Sequence, residues 1–169
     1  MKKFLIIIIS VCYFSFPLSF AYADTEINNT NFPDKTFLNV VRSYDLDGNN
    51  ILSTAEIELV TNMNVSSMDI YTLKGIEFFT SLSNLNCSEN LITILDLSSN
   101  TALRYLNCNN NELRALRALN IKKCVNLLEL DCSYNNLDNI DLSDNLLLEK
   151  LVCWENGDLK ELNLENNSN

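Results

Sequence analysis

Oxygen-bearing side chains are concentrated in one short stretch of the chain, Asp45–Glu56. The stretch reads Asp-Leu-Asp-Gly-Asn-Asn-Ile-Leu-Ser-Thr-Ala-Glu, with a carboxylate or an amide at every second position of its first half. Hard cations such as Ca²⁺ take oxygen ligands of these types. The same composition also suits an acidic turn between two helices that binds nothing, so both interpretations stay open at this point.

A second pair of carboxylates, Glu129 and Asp131, lies two residues apart. Side chains two apart in a strand share one face, and paired carboxylates are the groups that cleave glycosides. The chain contains no histidine, so the commonest general base and the commonest metal ligand are missing. We therefore interpret the pair as part of a solvated strand face, and we expect a protein that is not an enzyme.

A repeated frame, Leu-x-x-Leu-x-Cys-x-x-Asn, must position these side chains. The frame begins at Leu82, Leu103, Leu127 and Leu148, and its cysteines are spaced by 21, 24 and 21 residues. A fixed period with leucines in fixed slots predicts a leucine-rich-repeat solenoid, in which each unit stacks on its neighbours. The longer step comes from a duplicated Arg-Ala-Leu within 113–119, which we interpret as an insertion on the convex side.

Alternating apolar and polar residues within each frame predict a short strand, so successive frames give parallel strands with leucine and cysteine pointing inward. Neighbouring strands lie about 4.8 Å apart, whereas a disulfide brings its Cβ atoms to about 3.8 Å. We therefore expect reduced core thiols at Cys87, Cys108, Cys132 and Cys153. The frame asparagines fall where the chain turns, and we expect them to point inward, to bind backbone groups and to tolerate left-handed dihedrals.

These frames resemble a known family. From about Asn64 to Asn167 the chain is similar to the short leucine-rich repeats of internalin-type bacterial surface proteins, in which a cysteine ladder replaces one leucine. The resemblance implies a secreted or surface-attached protein that recognises a partner without enzymatic activity. It does not identify the ligand.

The stretch from Asp45 to Glu56 resembles the calcium loop of an EF-hand almost slot by slot. The resemblance implies a metal site formed by Asp45, Asp47, Asn49, the Ile51 carbonyl, Ser53 and Glu56. It departs from the pattern at the sixth slot, where Asn50 replaces the glycine that supplies a positive φ. Such a helix–loop–helix segment precedes repeats of this kind in resembling proteins. We expect it to cover the open side of a first strand at Met63–Val65, with Ca²⁺ as a structural ion.

The first residues have the pattern of an export signal. A basic start is followed by an apolar run from Phe4 to Val11 and by Ala21-Tyr22-Ala23, which predicts cleavage after Ala23. A lipoprotein attached through Cys12 is less favoured because Val11 is a poor residue before such a cysteine. The run is too short to span a membrane. We expect Asp24–Asn31 to be a flexible leader.

The predicted fold class is therefore α/β, a leucine-rich-repeat solenoid of parallel β-strands with a mostly extended convex side and a small N-terminal helical, EF-hand-like cap. The predicted organisation is a signal peptide over 1–23, the cap over 24–61 and the repeat array over 62–169. The net charge of −10 argues against nucleic acid and anionic membranes as partners.

The outward residues of the parallel strands predict one concave surface. They are Asn84, Asn86 and Ser88; Tyr105, Asn107 and Asn109; Glu129, Asp131 and Ser133; and Lys150, Val152 and Trp154. We expect this surface to bind a protein or a glycan through Tyr105, Glu129, Asp131 and Trp154. Alternatively, Trp154 covers the exposed last coil. A separate alternative for the function is a structural element that self-associates through an uncapped C-terminal coil.

Overall fold

A computed structural model describes residues 24–113, 118–157 and 159–167. The predicted signal peptide, 1–23, lies outside the described residues, as do residues 114–117 of the duplicated Arg-Ala-Leu. The elements in chain order are β1 (Thr25–Glu26), α1 (Lys35–Arg42), β2 (Ile51–Leu52), α2 (Thr54–Leu59), β3 (Asn62–Asn64), a 3₁₀ turn (Ile76–Phe78), β4 (Asn84–Asn86), β5 (Leu95–Asp96), β6 (Tyr105–Asn107), β7 (Leu119–Asn120), β8 (Glu129–Asp131), β9 (Asn139–Asp141), β10 (Lys150–Val152) and β11 (Glu161–Asn163).

The repeat frames form a five-stranded parallel sheet in the order β10-β8-β6-β4-β3. The frame leucines stand in register across it, with Leu85 beside Leu106 and Leu106 beside Leu130. Val65 occupies the cysteine slot of the first coil, because its backbone N–H donates to Asn86 as that of Cys87 donates to Asn107. The predicted solenoid of parallel strands is therefore confirmed.

The convex side is also extended, in two short parallel pairs, β5 with β7 and β9 with β11. Leu95 stands beside Leu119, which is the register expected if the extra residues of the third coil precede its second apolar triplet. Between the pairs, Lys122 forms an ion pair of 2.7 Å with Asp141. The second triplet of each repeat thus makes an irregular outer wall rather than helices.

The core is a continuous stack of leucine, isoleucine and cysteine side chains. Cys87, Cys108, Cys124 and Cys132 are buried free thiols, and Cys153 is a half-buried one. Burial raises the pKa of the Cys87, Cys124 and Cys132 thiols to about 12, so they are uncharged at neutral pH. In the described residues the ladder cysteines therefore lie inside the coil as predicted, except that Cys153 is half-buried.

The inward asparagine ladder is confirmed as well. Asn135 donates from Nδ2 to the carbonyls of Cys108, Cys132 and Ser133 at 3.0–3.1 Å, while the backbone N–H of Leu113 donates to its Oδ1. Asn90, Asn111 and Asn156 make equivalent contacts. The left-handed dihedral was predicted at the ladder asparagines themselves, but it occurs one residue earlier. The residues with positive φ are Glu89, Asn110, Tyr134 and Glu155.

The N-terminal segment is ordered, so the flexible leader predicted for Asp24–Asn31 is wrong. Strand β1 pairs antiparallel with β2 in a two-stranded sheet, and Ile27 and Phe32 are buried. Phe32 lies over Gly75, whose φ of 104° and lack of a Cβ allow the close approach. Edge-to-face contacts of Phe32 with Phe78 and Tyr44 with Phe79 join this segment to the first coil.

Candidate functional site

The concave side of the five-stranded sheet contains a groove of about 560 Å³. Its lining residues are Asn62, Met63, Asn64, Asn84, Leu85, Asn86, Tyr105, Leu106, Asn107, Glu129, Leu130, Asp131, Lys150 and Val152. The leucines and Met63 belong to the core, so the solvent side of the groove is formed mainly by amides, two carboxylates, one ammonium group and one phenol. A broad polar surface with one aromatic ring suits binding better than bond-breaking chemistry.

Tyr105 and Glu129 are direct neighbours across the β6–β8 pair, and Lys150 follows Glu129 across the β8–β10 pair. The Tyr105 side chain is 40% exposed. Lys150 donates from Nζ to Glu129 Oε2 at 3.1 Å. Tyr105, Glu129 and Asp131 therefore line one groove, and Glu129 already has an ion-pair partner in Lys150.

Asp131 has a structural task in addition to its place on the surface. Its Oδ1 accepts hydrogen bonds from the backbone N–H and the hydroxyl of Ser133, and its Oδ2 accepts one from Nδ2 of Asn109 at 3.2 Å. Asn86 holds Ser88 in the same way. Ser88 and Ser133 are consequently buried, which corrects their prediction as outward residues.

Trp154 lies apart from the groove. It is 54% exposed and is not among the residues that line the groove. Its ring makes an edge-to-face contact with Tyr134, with the ring centroids 4.4 Å apart. Sequence analysis missed Tyr134. The repeat register, which aligns Tyr134 with Glu155 just before the ladder asparagines, was the available signal for its exposure.

Glu129 and Asp131 are not arranged as an isolated acid and base. Lys150 binds the first carboxylate, and Ser133 and Asn109 bind the second. Both lie on an open sheet surface rather than in an enclosed cavity. Nothing in this geometry supports the glycoside-cleaving alternative.

The acidic loop between α1 and α2 is a second candidate site. One carboxylate oxygen each from Asp45, Asp47 and Glu56 lie within 4.8 Å of one another. Asp45 accepts backbone hydrogen bonds from Gly48 at 2.9 Å and from Asn50 at 2.8 Å, which folds the loop around its carboxylate. Asn50 has the positive φ, 61°, that the sixth slot requires.

Glu56 closes the loop from the first turn of α2. Its Oε1 accepts from the backbone N–H of Leu46 at 2.6 Å, and its Oε2 accepts from the backbone N–H and the hydroxyl of Ser53. These hydrogen bonds, led by that from the Ser53 backbone, lower the pKa of Glu56. Ser53 also caps α2, a role that the sequence analysis did not assign. Converging carboxylate oxygens are the ligand type that Ca²⁺ takes, so this loop is a candidate calcium site.

In the part of the chain that the structure describes, no helix is long and apolar enough to cross a membrane. No protein-family model matches the chain. Among curated proteins, Internalin J from Listeria monocytogenes serotype 4b (strain F2365) is 35% identical over 78 residues. The match covers 46% of this chain and 8% of Internalin J, so the chain spans a small part of that relative.

Solved structures give the same result. The functional domain of InlJ from Listeria monocytogenes, which includes a cysteine ladder, matches with a TM-score of 0.58 and 29% identity over 85% of this chain and 36% of that one. The internalin InlF of the same species matches with a TM-score of 0.69 and 23% identity over 82% of this chain and 45% of that one.

Internalin C2 of the same species gives a TM-score of 0.60 and 21% identity over 85% of this chain and 73% of that one. At these identities InlF and internalin C2 show the fold alone, whereas InlJ also shares the cysteine ladder. The chain is therefore a leucine-rich-repeat solenoid that is similar to the internalins.

Proposed function

We propose that this chain is a secreted or surface-attached recognition module of a bacterium, without enzymatic activity, that binds a protein or a glycan through its concave face. One observation carries the proposal. The outward positions of five parallel strands form a continuous groove of polar and aromatic side chains that the core does not use. Solenoids present their extended concave surfaces to partners in this way. The similarity to internalins supports the same conclusion.

Tyr105 is the proposed centre of the binding surface. It supplies a large, partly exposed ring flanked by Asn84 and Glu129 on the neighbouring strands. Tyrosine is common among binding hot spots because it buries much area at low entropic cost. Trp154, together with Tyr134, forms a separate aromatic contact beyond the groove. A partner large enough to cover the whole concave face would contact both Tyr105 and the Trp154–Tyr134 pair.

To test this, a protein or glycan ligand is first captured with residues 24–169 as bait. The affinity of variants for that ligand is then measured. Tyr105→Ala should raise Kd about tenfold, the loss expected at a hot spot. The matched control is Ile94→Ala, because Ile94 is 60% exposed on the convex side. Normal binding by Tyr105→Ala and Trp154→Ala, with loss in Ile94→Ala, assigns binding to the opposite side and overturns the proposal.

We also propose that Ca²⁺ binds in the loop and has a structural role. Asp45, Asp47, Asn49, the Ile51 carbonyl, Ser53 and Glu56 would hold it. A ligand that binds only the native state stabilises it by RT ln(1 + [L]/Kd), about 2.7 kcal/mol at a hundredfold excess over Kd. Tm should therefore rise in millimolar Ca²⁺ relative to chelator.

Glu56→Gln should abolish that rise in Tm, whereas Glu58→Gln, an exposed substitution in the same helix, should preserve it. Asn50→Gly should strengthen the effect, because glycine adopts a φ of 61° without strain. If Ca²⁺ does not change the Tm of the unsubstituted chain, the loop is an acidic turn that binds no ion.

Export is proposed through residues 1–23, with cleavage after Ala23. The cut would leave Asp24 one residue before β1, whose pairing with β2 then forms close to the new N-terminus. Sequencing the N-terminus of the exported protein tests the site. A product that begins at Cys12 and carries lipid would instead establish the lipoprotein.

The alternative function is self-association through the last coil. Leu162 and Leu164 are 40% and 41% exposed in the described residues, whereas the equivalent Ile140 and Leu142 of the preceding coil are buried. Sedimentation over a range of concentrations tests it. A dimer that Leu162→Ser dissociates favours the alternative, and a monomer at all concentrations removes it.

A further inference from the structure

Three asparagines occupy the same outward position on neighbouring strands of the concave sheet. Asn64 stands beside Asn86 across β3 and β4, and Asn86 stands beside Asn107 across β4 and β6. Each accepts a hydrogen bond at its Oδ1 from the backbone N–H two residues later, in every case at 3.1 Å. The side-chain oxygen is therefore fixed in the turn that ends each strand.

Fixing the oxygen also orients the rest of the planar amide. Within the residues that the structure describes, no protein acceptor meets Nδ2 of Asn64, Asn86 or Asn107. All three residues line the groove. Since parallel strands lie about 4.8 Å apart, the concave face carries a row of three oriented NH₂ donors at that spacing. We call Asn64, Asn86 and Asn107 the donor row.

The groove is nearly uncharged, although the chain has a net charge of −10. Its charged residues are Glu129, Lys150 and Asp131, and the first two form an ion pair. Asp131 already accepts hydrogen bonds from Ser133 and Asn109. A ligand of this groove therefore gains little from a formal charge and much from neutral oxygen acceptors.

Tyr105 adds a stacking surface to the donor row. It lies two residues before Asn107 on β6 and is 40% exposed. A pyranose ring has an apolar face that packs on an aromatic ring, and an edge of hydroxyl oxygens that accept hydrogen bonds. The groove presents both complementary features side by side.

An extended peptide matches the donor row less well. Carbonyls on one side of a strand recur at about 6.6–6.8 Å, twice the rise per residue, whereas the donors recur at about 4.8 Å. Equatorial hydroxyls on alternate carbons of a pyranose ring are farther apart than those on adjacent carbons, and their separation is close to that of neighbouring donors. The spacing therefore favours a polyhydroxylated ligand over a polypeptide.

We propose that the concave face recognises an uncharged glycan, which stacks on Tyr105 and accepts hydrogen bonds from the donor row. This inference rests on the proposed function, because it specifies the ligand of the same face. It assigns Asn64, Asn86 and Asn107 as specificity-determining residues.

The chain itself provides the substitution for a test. Asp131 occupies the next position of the same row and holds Ser133 as Asn86 holds Ser88, so an aspartate is compatible with this turn. Asn86→Asp keeps the oxygen that holds the turn and removes the donor. Asn163→Asp is the control, because Asn163 accepts from the backbone N–H of Glu165 in the same kind of turn on the convex β11.

Chitotetraose, cellotetraose and mannotetraose are the probes, measured by calorimetry against residues 24–169. At least one should bind, Asn86→Asp should weaken its binding about tenfold, and Asn163→Asp should not. Tyr105→Phe should retain stacking and affinity, whereas Tyr105→Ala should weaken binding about tenfold. Tm should be unchanged in both aspartate variants.

Failure of all three sugars to bind, or equal affinity of Asn86→Asp and the unsubstituted chain, overturns the inference. If no sugar binds but a protein ligand does, and Tyr105→Ala weakens its binding, the concave face remains the proposed binding site and the glycan is rejected as its ligand. If a sugar or a protein binds and no concave-face substitution weakens that binding, the concave face is not the binding site.

Discussion

Asp34 and Tyr71 are joined by a hydrogen bond of 2.9 Å that links the N-terminal segment to the first coil of the solenoid. The backbone N–H of Tyr71 donates to Oδ2 of Asp34. The other oxygen of the same carboxylate accepts from the backbone N–H groups of Thr36 and Phe37 and so caps α1. One buried side chain therefore fixes both the start of a helix and its position against the repeats.

Asp34→Ala should lower the free energy of unfolding by about 2 kcal/mol. Loss of the helix cap contributes about 1 kcal/mol, and the N–H of Tyr71 left without its partner contributes about as much again. Asp34→Asn should cost less, because asparagine also caps helices. Urea denaturation measures both, and equal losses in the two variants would contradict this division.

The asparagine ladder should tolerate aspartate far less than the donor row does. Asn135→Asp replaces a buried donor to three carbonyls by a carboxylate that repels them, so we expect a loss of several kcal/mol at neutral pH. The loss should shrink at acidic pH, where the buried group is protonated. Asn86→Asp is the control and should change the urea midpoint little at either pH.

The buried thiols should make the fold sensitive to alkali. Burial raises the pKa of Cys87, Cys124 and Cys132 to about 12, whereas an unfolded cysteine titrates near about 8.5. The unfolded state therefore loses protons first. The stability from these thiols is complete below about pH 8.5 and is lost as the pH rises toward 12.

Urea midpoints measured at pH 8 and pH 10 test this dependence. Cys132→Ala should show a smaller drop between the two pH values than the unsubstituted chain, although it is less stable at both. Thiol labelling provides an independent check: half-buried Cys153 should react first, and the buried thiols only on unfolding. Identical drops in both proteins would count against the assignment.

The residue before each ladder asparagine has a positive φ without being glycine. At Glu155, with a φ of 53°, substitution by glycine should raise the free energy of unfolding by about 0.5 kcal/mol, because relief of the left-handed strain exceeds the added chain entropy. Glu155→Ala should bring no gain, since alanine keeps the strain. A stabilising alanine would show that the side chain, rather than the backbone, is responsible.

The sequence by itself determined the solenoid, its strand register and its two inward ladders. Each of these features repeats along the chain, so one coil predicts the next: Leu85, Leu106 and Leu130 must align if the fold is periodic. The positions of Cys87 and Asn90 within the frame then require burial, because the stacking of parallel coils leaves inward groups no access to water.

Only the tertiary structure decided the contacts between parts that do not repeat. Asp34 meets Tyr71 across 37 positions of sequence, and β1 pairs with β2, although neither segment has a periodic signal. The hydrogen-bond partners of the surface side chains could not be predicted from the sequence either. The outward position of Asn86 follows from alternation, but the capture of its oxygen by Ser88 depends on the turn geometry. Alternation determines which way a side chain points, whereas its partners depend on how the turns and the neighbouring coils pack around it.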